Sequence, residues 1–458
     1  MITGNDLIKL GYKPAKWFKE AIEHINSNDL SDEDMVTYIN SVLPPPAPPT
    51  VEPFETPVKY HLNLTAESEL EKDNLQKVCE TMDVLMRTPV VVGGAVMPDA
   101  CPAGPIGTIP VGAIAILNNA IAPGLHSADI CCSLMLTNVG KVNPKLVLDE
   151  AMKQVRFGPG GRSKSNSFRV PSELMTEIEN NTFLNSKKSV DAAIEHLGTQ
   201  GDGNHFYFLG ILKSTGDTVI ISHHGSRNFG SQLYKGGMKV AEKFRKQLSP
   251  KTKEMNAWIP YDTVEGQEYW KALQIVRLWT KQNHICVHDK IVEKLGLEVK
   301  DRFWNEHNFV FKDGDLFYHA KGATPVDTKF LQDFGGPQII PLNMTESILL
   351  VEGTTNGNNI GFCPHGAGRN SSRTQHKLSK GNLTPEEIFA EETKGIDARF
   401  FSGKIDISEL PSAYKNAEEV KRQIKEFNLA TVIDEVIPYG TIMAGHIEES
   451  WIKKKSKL

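Results

Sequence analysis

The sequence predicts an α+β fold, and three observations carry that reading. From residue 58 onward, short apolar or β-branched runs bounded by Gly-rich turns recur as VVVGGAVM, PIGTIPVGAIAI, DTVIISHHGSR, HNFVFKDGDLFYHA and SILLVEGTT. Longer stretches with helical spacing, VDAAIEHLG and EYWKALQIVRLWTKQNHICVHDKIVEKLG, interrupt them without a regular βαβ alternation, which argues against a doubly wound sheet. A proline-rich segment sets all of this apart from a short helical amino terminus.

In chain order, Asp6 to Asn26 and Ser31 to Val42 place apolar residues at helical spacing, and Asp32 to Asp34 stand where acidic residues favour a helix N-terminus. In LPPPAPPTVEPFETP, six prolines between Pro44 and Pro53 cannot continue a helix and favour an extended spacer. The expected organisation is a helical appendage over 1–43, a proline-rich linker over 44–57 and a mixed α/β catalytic domain over 58–458. An appendage of that size has little room for a core of its own and is expected to dock on the body or on a partner. No internal repeat is evident.

With 40% hydrophobic and 23% charged residues, the chain has the composition of an ordinary globular protein. Its first twenty residues lack an apolar leader core, and no apolar run is long enough to span a bilayer, so the expected compartment is the cytoplasm and no membrane partner is expected. The six cysteines then read as reduced thiols or metal ligands. A net charge of −5 excludes a protein that coats nucleic acid through bulk electrostatics. Any RNA contact must be local, with candidates in Lys153, Arg156, Arg162, Lys164 and Arg169 around the FGPGGRSKSNS loop and in the terminal WIKKKSKL, each of which could equally be solvated surface.

The chemistry is carried by histidines in turn-like contexts. Asp129 and Cys132 offer a hard carboxylate and a soft thiolate three residues apart, although a lone buried cysteine is ordinarily a core residue. Asn204-His205 follows a Gly-rich turn, His223 ends a strand-like run ahead of Gly-Ser-Arg227, and His307-Asn308 precedes a strand. An imidazole at a strand end is held rigidly enough to bind metal, and an adjacent arginine can grip phosphate. His319-Ala-Lys321 adds a cation, and His365 sits among Gly366, Ala367 and Gly368, small residues that let a substrate approach the backbone. Arg369 and Arg373 follow at a spacing that would put them on one face of a helix, suited to phosphate oxygens. A neutral imidazole can accept a phosphoryl group and pass it on, while two metal ions screen an anionic substrate. Nucleotidyl transfer is the outline. Neither a GxxxxGK[ST] loop nor a K-x-D-G stretch is present, which removes the P-loop and lysine-nucleophile routes.

The ordered segments MPDACPAGPIGT, DICC, GDGNHF, HHGSR, HN before a strand, HAKGAT, PHGAGRNSSR and SAYKN resemble the RtcB RNA ligase family over about residues 58 to 450. The resemblance implies an RtcB-type α+β domain and GTP- and Mn²⁺-dependent joining of RNA 3′-phosphate or 2′,3′-cyclic phosphate ends to 5′-hydroxyl ends, in RNA repair or tRNA splicing. It implies two Mn²⁺ ions on Asp129, Cys132, His205, His223 and His307, with Cys132 bridging, and His365 as the nucleophile toward the nucleotide α-phosphorus. Asn204, Asn308, Arg227, Lys321, Arg369 and Arg373 would steady phosphates, Asn343 and Ser347 could donate hydrogen bonds from an altered phosphate loop, and Tyr414 would pack on the base. The partners expected are RNA ends of that chemistry, with room for an activating protein. Four departures mark a divergent branch. The D-x-G-C-G metal motif carries Cys131 and Ser133 in place of glycines, and Cys101 replaces a histidine in MPD-x-H. Phe208 replaces an acidic guanine reader, and Ala444-Gly445 replaces a Lys-Gly that also contacts guanine. A metal-dependent phosphodiesterase acting on RNA ends without joining them, and a binding module for RNA ends, are the competing readings, since the same metals serve a water nucleophile equally well.

Overall fold

The computed structural model describes residues 1–43, 49–331, 336–354 and 356–446. The chain divides into two compact units, Met1–Thr50 and Val51–Leu458.

The first unit holds three helices, Gly4–Lys9, Trp17–Asn28 and Asp32–Val42. The helical spacing from Asp6 to Asn26 is thus two helices, not one: Gly11 adopts φ +91 and Pro14 follows, so the chain turns between them. Leu7, Phe18, Ala21, Ile25, Met35 and Ile39 are buried together within this unit, a small core of its own. Part of the proline stretch lies outside the described residues, as does WIKKKSKL.

The second unit is built on two sheets. The larger runs in the order Gln338–Ile340, Ile348–Gly353, Ala430–Met443, Phe206–Leu212, Thr218–His224, Ser133–Asn138, Asp301–Glu306, with Asp397–Phe400 added parallel to the long strand. The smaller runs His61–Leu62, Val91–Cys101, Val111–Asn118, Leu316–Lys321, Asn308–Asp313. Strands Ser133–Asn138 and Thr218–His224 are buried on both faces, as interior strands of a covered sheet must be. The cover is the 32-residue helix Val264–Leu295. Its buried residues Tyr269, Leu273, Val276, Trp279, Asn283, Val287 and Ile291 recur at three- and four-residue steps along one face. Thr263 caps its start by accepting from Gly266 N, and Gly296 ends it in the left-handed conformation.

The two sheets meet at His307. The chain leaves the large sheet at Glu306 and enters the small one at Asn308, so this histidine is the hinge between them. The site is built around that junction.

Candidate active site

Four of the five expected metal ligands come from strand ends at the junction. Cys132 immediately precedes Ser133–Asn138, His205 immediately precedes Phe206–Leu212, His223 sits near the end of Thr218–His224, and His307 joins two strands. Asp129 comes from the preceding turn, closed by Cys131 at φ +58, a left-handed conformation that a non-glycine residue adopts at a cost. Gly225 allows the close approach of that carboxylate, because a Cβ at residue 225 would collide with Asp129 Oδ1. Backbone bonds lock the turn: Cys131 N donates to Asn308 O at 2.7 Å and His307 N to Cys132 O at 2.9 Å.

The side chains converge into two triads that share Cys132: Cys132, His223 and His307, and Asp129, Cys132 and His205, the donor atoms of each triad lying within 4.8 Å of one another. Cys132 Sγ is 3.2 Å from His223 Nε2 and 3.5 Å from His205 Nε2, His205 Nε2 is 3.4 Å from Asp129 Oδ2, and His223 Nε2 is 3.2 Å from His307 Nε2. Burial drives His223 down to about 3 and His307 well below its ordinary range, so both imidazoles are neutral and able to act as ligands. Burial and the neighbouring Asp129 raise the Cys132 thiol, so a divalent cation held by this sulfur would have to displace its proton. Three imidazole nitrogens, a carboxylate and a sulfur shared by both triads form a donor set that would suit divalent cations.

His365 follows the strand Phe362–Pro364, and its ring centroid lies 4.7 Å from that of His307. Its Nδ1 donates to Asp99 Oδ2 at 2.5 Å, and its backbone N donates to the same oxygen at 3.1 Å. With Nδ1 committed as donor, Nε2 carries the lone pair. Asp99 is fully buried. Gly368, at φ +71, packs against the Asp99 backbone so tightly that a Cβ would overlap Asp99 O. Sequence reasoning passed over Asp99, although a carboxylate inside the apolar run VVGGAVMPDAC is itself a signal, since such a group needs a buried partner.

A cavity of about 1090 Å³ opens in front of these groups. Asp129, Cys132, His223, His307 and His365 line it, as do Asn204, Asn308, Lys321, Asn343, Gly366, Ala367, Gly368, Arg369, Arg373 and Tyr414. Asn308 stitches the floor, its Nδ2 donating to Asp129 O and its Oδ1 accepting from Gly322 N. Lys321 donates to Ile109 O, and burial lowers its ammonium to about 8. Arg369 and Arg373 do not share a helix face: Arg369 is in a loop and Arg373 opens the helix Arg373–Ser379. They meet instead on Glu409, a buried carboxylate that accepts from Arg369 Nη2 and Arg373 Nε at 2.7 Å each and from Tyr414 Oη at 2.6 Å. The Arg369 guanidinium also lies 4.5 Å from the centre of the Tyr414 ring. Glu409 was not anticipated, because nothing local in SELPSAYKN marks it as the partner of arginines 40 and 36 residues away.

Three expected positions fall elsewhere. Ser347 does not line the cavity, where its neighbour Ile348 does. Arg227 is not among the residues lining the cavity, and its guanidinium donates to Thr199 Oγ1 and Gly158 O, which braces the loop that carries His205. Ala444 packs with Tyr207 and Phe157, while Thr441 and Met443, paired across the sheet with Phe208 and Phe206, form the cavity wall. Of the basic loop, Arg156 and Arg162 spend their guanidiniums on backbone carbonyls. Among the described residues no helix is long and apolar enough to cross a membrane.

The family model described as tRNA-splicing ligase RtcB matches residues 165–444. A tRNA-splicing ligase RtcB of Aeropyrum pernix is 28% identical over 409 residues, covering 72% of this chain and 84% of that protein. One from Nanoarchaeum equitans is 27% identical, covering 85% and 95%, and one from Archaeoglobus fulgidus is 26% identical, covering 84% and 94%.

Proposed function

Because the chain belongs to the RtcB family and is an RNA ligase, we propose that it joins RNA 3′-phosphate or 2′,3′-cyclic phosphate ends to 5′-hydroxyl ends through a nucleotidylated His365, with GTP as nucleotide and two Mn²⁺ ions as cofactors. The observation that carries this reading is the Asp99–His365 pair, which commits Nδ1 and leaves Nε2 as the available ring nitrogen of a histidine lining a cavity that members of both triads also line.

Asp129, Cys132, His205, His223 and His307 would hold the two ions, which when bound supply Lewis-acid stabilisation of phosphate charge. His365 Nε2 attacks the nucleotide α-phosphorus; the N–P bond forms as the bond to the β-phosphate oxygen breaks, and pyrophosphate leaves. Asp99 takes no proton; it holds the Nδ1–H and stabilises the imidazolium character that develops at attack. An RNA 3′-phosphate oxygen then displaces the imidazole from the α-phosphorus, a cyclic end having first been opened by water. The 5′-hydroxyl attacks the activated 3′-phosphorus and expels the nucleoside monophosphate, which closes the phosphodiester. Arg373, about half-exposed beside the cavity, and Lys321 supply positive charge along this route, while Asn204 and Asn343 contribute positioning. Around Phe206, Phe208, Met344 and Met443 the wall is apolar, and the three lining carboxylates among the described residues are engaged, Asp73 by Lys77, Asp129 by His205 and Glu409 by its arginines. Guanine selection by a free carboxylate is therefore not expected, and base discrimination should be weak.

The test is incubation with Mn²⁺ and each α-labelled nucleoside triphosphate, followed by denaturing gels of the wild type and His365→Ala. An acid-labile protein label seen in the wild type alone is the expected result, and the labelling nucleotides report the base preference. Hydrolysis of cyclic phosphate ends with no label from any nucleotide would overturn the ligation chemistry in favour of a phosphodiesterase.

A further inference from the structure

On the face of the large sheet opposite the cavity lies a buried polar chain that the ligation chemistry does not use. Ser222 Oγ is 2.6 Å from His284 Nδ1 and 2.7 Å from His288 Nε2. Ser133 Oγ is 3.0 Å from His284 Nε2 and 3.3 Å from the His224 carbonyl oxygen. Thr137 Oγ1 is 2.8 Å from His288 Nδ1 and accepts from Arg302 Nε at 2.9 Å, and Arg302 Nη2 donates to Asp289 at 2.5 Å. Ser133, Thr137, Ser222, His224, His284 and His288 are all fully buried.

Burial keeps both linking imidazoles neutral, so each has one donor and one acceptor nitrogen. A guanidinium can only donate, which makes Arg302 the fixed end. Thr137 must accept from it, and its own proton is satisfied by donation to His288 Nδ1. His288 Nε2–H then donates to Ser222, Ser222 to His284 Nδ1, His284 Nε2–H to Ser133, and Ser133 to the His224 carbonyl. Every proton has an acceptor in this one direction; in the reverse direction the Thr137 proton has none within the chain. Arg302 therefore selects the tautomer of both histidines.

The placement gives the chain a consequence. Side chains alternate across a sheet, so Ser133 is the back-face neighbour of Cys132, and Ser222 and His224 flank His223 on the back face. We propose that the Arg302-anchored chain, with His284 and Ser222 at its centre, is a positioning device that fixes the strand ends presenting Cys132 and His223 to the metal ions. This rests on the reading of those two residues as ligands.

Cobalt titration tests both levels separately, because a thiolate bound to Co²⁺ gives a charge-transfer absorption in the near ultraviolet. Thr137→Val keeps the side-chain shape and removes the hydroxyl relay; Ser222→Ala removes the central link. Each should weaken Co²⁺ binding by about tenfold and change the thiolate band, and Thr137→Ser should restore both. A lowered melting temperature with wild-type affinity and an unchanged band would overturn the proposal and reduce the chain to a core stitch. If Ser222→Ala does not fold, Thr137→Val decides alone. Absence of any thiolate band in the wild type would overturn the ligand reading, and the positioning proposal with it.

Discussion

In the reaction proposed for it, His365 would be activated by what its other nitrogen does. Asp99 holds Nδ1–H and also accepts from the backbone N of the same residue, so ring orientation and tautomer are set together. An asparagine at 99 can turn its amide NH₂ toward Nδ1, which favours the wrong tautomer and removes the charge that supports developing imidazolium. Asp99→Asn is expected to slow His365 labelling about 10²-fold or more with both metal ions retained; single-turnover labelling beside metal analysis reads the two separately, and a rate within about twofold of wild type would dismiss the role. That the five proposed ligands and His365 would converge was legible because each stands in a short motif whose residue types are unusual for their context. Asp99 and Glu409 were not, since their partners lie 266 and about 40 residues away and only folding brings them together. Arg227 was read for phosphate from its motif, and the motif gave no sign of the bonds its Nε and Nη2 make to Thr199 and to the Gly158 carbonyl.

At the scale of elements, Glu409 ties the loop after His365, the helix Arg373–Ser379 and the segment carrying Tyr414. One buried carboxylate facing two guanidiniums leaves a net positive clamp, and removing its charge strands Arg369 in a low-dielectric site. Glu409→Gln should therefore cost about 3 kcal/mol, measured as a lower urea midpoint at constant m; a loss below about 1 kcal/mol would show that solvent compensates the arginines. Element type was legible wherever the chain punctuates itself. The long helix ending at Leu295 was visible in its spacing, and the strands of the Asn308–Lys321 hairpin in the apolar run HNFVFKDGDLFYHA. What could not be read was how strands partition between sheets. Asp301–Glu306 and Asn308–Asp313 are nearly continuous in sequence, yet they pair with different neighbours, and the hinge His307 is brought beside Cys132 and His223 for that reason.

Across the whole molecule, the histidines connect function to acid stability. His126 and His319 are fully buried, away from the proposed metal ligands and with both ring nitrogens engaged. His319 Nδ1 donates to Phe317 O while Nε2 accepts from Ala122 N, and His126 pairs with Ser127 O and Tyr269 Oη. Burial lowers them to about 3 and about 4, from an ordinary value of 6.5. Their folded values are depressed, so between those values and 6.5 the unfolded chain binds more protons than the folded one. Stability is therefore fully present above pH 6.5 and lost as the pH falls below it. At pH 5.5 each should cost about 1.4 kcal/mol, roughly 3 kcal/mol for the pair, and the buried His284 and His288 shift in the same direction. Carboxylates do not mask the effect, because their ordinary values lie below this window. Urea unfolding of chelator-treated protein at pH 7.5 and 5.5 should thus show the loss without any metal, whereas equal stability at the two values would mean that these imidazoles are charged in the fold. In the metal-loaded protein the loss should be steeper, because protons then also compete with the ions for His223 and His307. The difference between the two slopes isolates the metal site from the structural histidines around it.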